Sequence, residues 1–216
     1  MWKSPLKHWF NRVLRHILDS NYSQSNAESK FLRKNLLRAL RAEFERKFKS
    51  DLPQFARVPG QYVPSGSDLY RWELAKDLFF FVFMQVGKNA YEERFMVEIG
   101  WNRSREKQGH MVFSDPASVD PEIDGVIRLP QFYKEKWASR SQPWWNFGNQ
   151  PLMAPTLSWQ EFQAQMDIFL SEEESAKRVA IVPQLVDDSV HKIREHAIPQ
   201  FRKVAMQRGK PWLDKN

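Results

Sequence analysis

A chain of 216 residues that is 42% hydrophobic and 14% aromatic holds enough apolar material for one folded domain with an appendage, which excludes a disordered chain. The absence of cysteine excludes disulfides, thiolate metal sites and cysteine nucleophiles, and suits a reducing cytoplasm. The net charge of +7 is gathered at one end: residues 1–50 hold twelve Lys and Arg against four acidic side chains, the rest of the chain 21 against 22. A polyanion or an acidic surface is therefore attracted to the N-terminal part alone.

Ser4 and Pro5 read as the N-cap and first position of a helix, where the missing proline N–H costs nothing. Leu6, Trp9, Phe10, Val13, Leu14, Ile17 and Leu18 then recur at three- and four-residue steps, with Lys7, His8, Arg12, Arg15 and His16 on the other side. The pattern predicts a basic amphipathic helix over residues 1–22, followed by a polar linker at 23–29, a single α+β domain at 30–209 and a tail at 210–216. A second helix is expected from Lys30 to Lys49, with Leu32, Leu36, Leu40, Phe44 and Phe48 at four-residue spacing and Arg33, Arg38, Arg41 and Arg46 beside them. Pro53, Pro59 and Pro64 forbid its continuation.

After the turn signal Ser65-Gly66-Ser67-Asp68 the period changes to two, predicting strands Leu69 to Leu74, Leu78 to Val86 and Arg94 to Trp101. Their short connections predict an antiparallel meander of three to four strands packed between helices. The middle strand is apolar at seven consecutive positions, Leu78 to Met84, so both of its faces must be covered. The same run is the longest apolar one and falls far short of the roughly twenty residues of a membrane span. Residues 102–157 read as an irregular excursion across the sheet, with one short strand at Val126 to Leu129. Ser158 with Glu161 forms a capping-box signature that starts a third helix, and a last helical stretch from about Ser175 to Met206 is broken around Pro183 and Pro199 and ends at Gly209.

This order of helix, three-stranded meander, excursion and terminal helices closing on His196-Ala197-Ile198-Pro199-Gln200-Phe201 resembles small bacterial domains of unknown function. The resemblance covers roughly residues 30 to 205 and rests on pattern. It implies a fold and a bacterial origin, and transfers no catalytic residue.

The chemistry-bearing motifs are sparse. Lys134, Lys136, Trp137, Arg140, Trp144, Trp145 and Phe147 interleave charge with aromatic faces, the mixture that stacks unpaired bases, and the competing reading is burial over the sheet. Asp120 to Ile127 follows the first eight positions of a calcium loop, but Gln131 stands where the bidentate Glu belongs, so an acidic turn entering a strand is expected. His191 and His196 are five residues apart and do not share a helix face as a zinc pair at i and i+4 does. Glu98 is followed by Ile99 and Gly100, without the Lys of a strand-borne nuclease motif, and no Gly-x-Ser-x-Gly elbow exists.

No catalytic residue, metal ligand or cofactor is assigned on these grounds. The expectation is a non-catalytic binding or adaptor module of the bacterial cytoplasm that engages a protein partner. Trp9, Phe10, Arg12, Arg15, Arg33, Arg38 and Arg41 are the candidate contacts, and Trp137, Arg140, Trp144 and Trp145 are candidate stacking residues. Nucleic acid drawn by the basic N-terminal helices is the alternative, and a cryptic hydrolase comes third. The apolar face of residues 1–22 either packs on the protein's own core or serves an outside partner.

Overall fold

Between Pro5 and Pro53 the chain contains no proline and no glycine, so a helix once nucleated has nothing to stop it. In the computed structural model, which describes residues 22–59, 67–87, 94–103, 112–113, 124–133, 145–147 and 158–212, α1 runs from Tyr22 to Asp51. This corrects the expected linker: residues 23–29 are the opening turns of α1, because Ser, Asn and Gln weaken a helix without breaking it. Leu36, Leu40, Phe44 and Phe48 are all buried, as their spacing predicts. The expected helix over residues 1–22 lies outside the described residues, Tyr22 excepted.

Strands β1 (Ala56–Arg57), β2 (Asp68–Ala75), β3 (Leu78–Val86), β4 (Arg94–Asn102), β5 (Val112–Phe113), β6 (Gly125–Arg128) and β7 (Trp145–Asn146) make up the sheet among the described residues. Their order is β1-β2-β3-β4-β6-β5, with β7 alongside the start of β4. The pairs from β1 to β6 are antiparallel and only β5 runs parallel to its neighbour β6. The fold is α+β, an antiparallel meander packed with helices, and the three long strands agree with the sequence reading to within a residue at each end.

Period-two alternation divides the sheet into two faces. One carries Tyr70, Trp72, Phe80, Val82, Met84, Phe95, Val97, Ile99, Trp101 and Ile127, and it packs on α1 and the C-terminal helices in the main core. The other carries Leu69, Phe81 and Val126, which form a second cluster with Val58. Phe79, Phe80, Phe81 and Val82 are all buried, so both faces of β3 are covered. Gly100 of β4 pairs with Phe81, and a Cβ there would run into the Phe81 ring and the carbonyl oxygen of Gly125; the missing side chain is what lets the aromatic ring lie flat on the neighbouring strand.

Ser158 caps α2 (Trp159–Phe169) through the predicted box, its hydroxyl accepting from the Glu161 amide while Glu161 accepts from the Ser158 amide at 2.7 Å. Helix α3 (Glu172–Ala180) starts at a second cap, Ser171, and its buried Arg178 donates to the Phe169 carbonyl at 2.6 Å, placing a cation at the end of α2. Of the two expected breaks, the one at Pro183 divides two helices, and the one at Pro199 is a π turn through which the helix continues. Pro183 sits in the first turn of α4 (Val182–Lys192), where its missing N–H is harmless. Pro199 sits in the first turn of α5 (Ile198–Gln207), and the preceding Ile193–Ala197 widens into a π turn in which the Ile198 N–H reaches the Ile193 carbonyl.

Gly209 ends α5 with φ of 64°, the left-handed conformation of a glycine cap. The chain does not leave the domain there as a tail. Lys210 donates to Asp77 at 2.8 Å, and Trp212 packs edge-on to Trp72 with centroids 5.0 Å apart, so residues 210–212 close one end of the core. The half-buried indole offsets the freedom lost in ordering residues 210–212.

Candidate binding site

Helix α1 buries one stripe and presents the opposite one, and the presented stripe lines a groove. Arg33, Lys34, Arg38 and Arg41 supply its charge, with Leu37, Ala42 and Glu45 between and beyond them. Three of the sequence-predicted contacts, Arg33, Arg38 and Arg41, are thus brought onto one surface by the helical repeat.

These cations are not equivalent. Arg33 donates to the Gly87 carbonyl at the end of β3. Arg41 donates through Nε to Oδ2 of Asp68, at the start of β2, at 2.8 Å. Eight residues separate the two arginines, about 12 Å along the helix axis. Between them Lys34 and Arg38 are exposed, and among the described residues neither has a hydrogen-bond or ion-pair partner. The cations further along α1 are matched: Arg46 with Glu43 at 2.5 Å, Lys49 with Glu45 at 2.9 Å, and Lys47 with Asp187 of α4. The Arg46 bond holds the Glu43 carboxyl below the usual range, and the Lys49 bond does the same for Glu45.

Asp68 is the anchor of the site. Its side chain is 5% exposed, and while Oδ2 takes Arg41, Oδ1 accepts Nε of Arg57 at 3.0 Å and also its Nη2. A carboxylate this deep is tolerable because both oxygens receive charged donors. Tyr70, two residues on, stacks on Phe48 at 4.0 Å, and burial pushes its hydroxyl pKa up. That hydroxyl is enclosed without a hydrogen-bond partner among the described residues.

Of the candidate stacking residues, Trp145 is a core side chain. It lies parallel to Phe95 with centroids 5.3 Å apart and donates its indole N–H to Asp188 of α4 at 2.8 Å, so its faces are taken within the domain. Trp137, Arg140 and Trp144 lie outside the described residues, as do Trp9, Phe10, Arg12 and Arg15. Of the calcium-like stretch, Asp124 is described, and it receives the backbone N–H of Arg103 at 3.0 Å. Among the described residues no group of three metal-ligating side chains converges.

Sequence reasoning missed a polar trio around the buried Glu98 on the other sheet face. Glu98 accepts Gln85 Nε2 at 2.9 Å on one oxygen and Arg128 Nε at 3.2 Å on the other. Burial pushes its carboxyl above the usual range, and Arg128 pulls it back in part. Both oxygens are occupied, which makes the trio a structural tie across β3, β4 and β6. The only sequence signal was a carboxylate at a strand position of otherwise apolar character.

Comparisons with protein families, with curated proteins and with solved structures find no match. No helix among the described residues is long and apolar enough to cross a membrane.

Proposed function

We propose that the protein is a non-catalytic binding module of the bacterial cytoplasm that engages an acidic surface of a protein partner through the groove face of α1. The observation that supports this reading is the pair Lys34 and Arg38: two exposed cations, without partners among the described residues, on a helix whose later cations are matched by carboxylates. Leu37 and Ala42 add apolar contact between the charges, a mixture suited to a protein surface. Nucleic acid would use the same cations, but the one described member of the stacking set, Trp145, is buried.

The test is binding to poly-L-glutamate and to a single-stranded DNA oligonucleotide of matched charge across a salt series. The K34Q/R38Q double variant should weaken poly-L-glutamate binding, whereas R194Q/K203Q, which removes two exposed cations of the C-terminal helices, should not. Tighter binding of the oligonucleotide with a steep salt slope that K34Q/R38Q flattens would move the assignment to nucleic acid. Equal losses in the two double variants would show net charge alone at work and sink the groove as the site.

A further inference from the structure

Two guanidinium groups, Arg41 and Arg57, share the single buried carboxylate of Asp68. The pair is used asymmetrically. Arg57, 43% exposed, gives Asp68 both Nε and Nη2, with Nη1 standing 4.0 Å from Glu45, so its fork is occupied by the protein's own carboxylates. Arg41 gives only Nε, and among the described residues its two terminal nitrogens have no partner. The Arg41 side chain is 37% exposed and lines the groove beside Arg38. The Nε bond to Asp68 restrains the guanidinium, leaving its terminal nitrogens for a ligand in the groove that Arg41 lines.

We infer that Arg41 is the specificity-determining residue of this face, with Asp68 as its positioning residue: the free edge of the Arg41 guanidinium takes one carboxylate of an acidic segment on the partner, while Lys34 and Arg38 attract that segment's further charges. This rests on the protein-binding reading above. A planar fork matches a carboxylate with two parallel hydrogen bonds, and part of the ordering cost is already met by the tie to Asp68. Arg38, Lys34 and Arg41 lie on successive turns of one helix face, so an acidic segment lying along α1 meets all three at once.

Simple electrostatics and positioning make opposite demands on Asp68. Removing a negative charge beside a site for anions should tighten binding if charge is all that matters. If Asp68 aims Arg41, its removal should weaken binding instead. The experiment is fluorescence anisotropy of labelled poly-L-glutamate with the full chain, its D68N and R41K variants and the double variant, with thermal melts confirming that each is folded. D68N should weaken binding by about tenfold, R41K by a similar factor although it keeps the charge, and the double variant by no more than R41K alone. Because D68N removes the charge that Arg41 and Arg57 share and can loosen β1, R41K stands as the second variant. Tighter binding in folded D68N, or wild-type affinity in R41K, overturns the inference while leaving the protein-binding reading intact. A folded wild-type chain that does not bind poly-L-glutamate overturns both.

Discussion

The ring of Phe80, on the central strand β3, lies against the ring of Phe201 on α5 with centroids 4.5 Å apart and planes 25° apart. Trp72 closes the same cluster from β2 at 5.7 Å, and neither phenylalanine is exposed. Phe80→Ala therefore opens a cavity that helix and sheet cannot both collapse into, and should lower stability by about 3–5 kcal/mol in chemical denaturation. Phe201→Ala should fall in the same range, and the double variant should cost less than the two together, since each removes the other's contact. A loss below about 1 kcal/mol for Phe80→Ala would mean that the ring is not the keystone described here.

Gly100→Ala and Gly209→Ala separate two reasons for a glycine. At Gly100 the added methyl meets the Phe81 ring and the backbone oxygen of Gly125, and a backbone atom inside a paired strand has nowhere to go. At Gly209 nothing lies within contact range, and only the positive φ of 64° opposes the substitution. Thermal melts should show Gly209→Ala costing about 1 kcal/mol and Gly100→Ala at least twice that. The reverse order would contradict the close packing of β3 on β4.

The sequence was most informative where the chemistry is local. Leu78 to Val86 and Arg94 to Trp101 are legible because alternation and short connections fix both strands and their pairing, and the box at Ser158 and Glu161 is legible because a cap involves only four consecutive residues. The start of α1 was not, because polar residues that favour caps and turns are carried along when a long helix is already nucleated beyond them. The fate of Trp145 could not be read from a run of aromatics that suits both a core and a stacking surface. Arg33, Arg38 and Arg41 were visible as a basic stripe. What distinguishes them, the ties of Arg33 to Gly87 and of Arg41 to Asp68, depends on which strand end lies beneath which helical turn, and only the folded arrangement supplies that.

Trp212 tests whether residues 210–212 belong to the core. Its ring meets Trp72 and Phe80, and the Arg202 guanidinium lies 5.6 Å from its centroid. A chain ending at Gly209 loses these contacts and the Lys210 to Asp77 ion pair, and should be less stable by about 2–4 kcal/mol, nearly all of it from the indole. Trp212→Ala in the full chain should reproduce most of the loss. If truncation leaves the melting temperature unchanged, residues 210–212 add nothing to the core.

His196 is expected to make stability depend on pH below about 6.5. Its ring lies parallel to Phe132 and stacks on Tyr133, with centroids 6.0 and 5.4 Å away, and its side chain is 20% exposed. Among the described residues Nε2 has no hydrogen-bond partner, and the nearest opposite charge is Glu195 at 3.5 Å, a carboxylate that Lys192 and His191 also claim. Burial lowers the His196 pKa below its ordinary value of 6.5, with Glu195 pulling it up and Lys192 and His191 pushing it down. The Lys192 bond holds Glu195 below the usual carboxylate range, so it stays ionised while His196 titrates. With the folded pKa below the unfolded one, the unfolded chain binds more protons in the window between them. Stability is then full above about pH 6.5 and is lost as pH falls through the folded value. The carboxylates whose pKa values are lowered act in the same direction below the ordinary carboxylate range, whereas Glu98, raised by burial, acts in the opposite direction just above it. Urea unfolding at about pH 7.5 and about pH 5 should show a loss in the wild type that His196→Phe, which keeps a ring against Phe132 and Tyr133 but cannot take a proton, largely removes. His191→Phe, at a side chain 68% exposed, should leave the loss in place. An undiminished loss in His196→Phe would locate the pH response elsewhere and return His196 to a purely packing role.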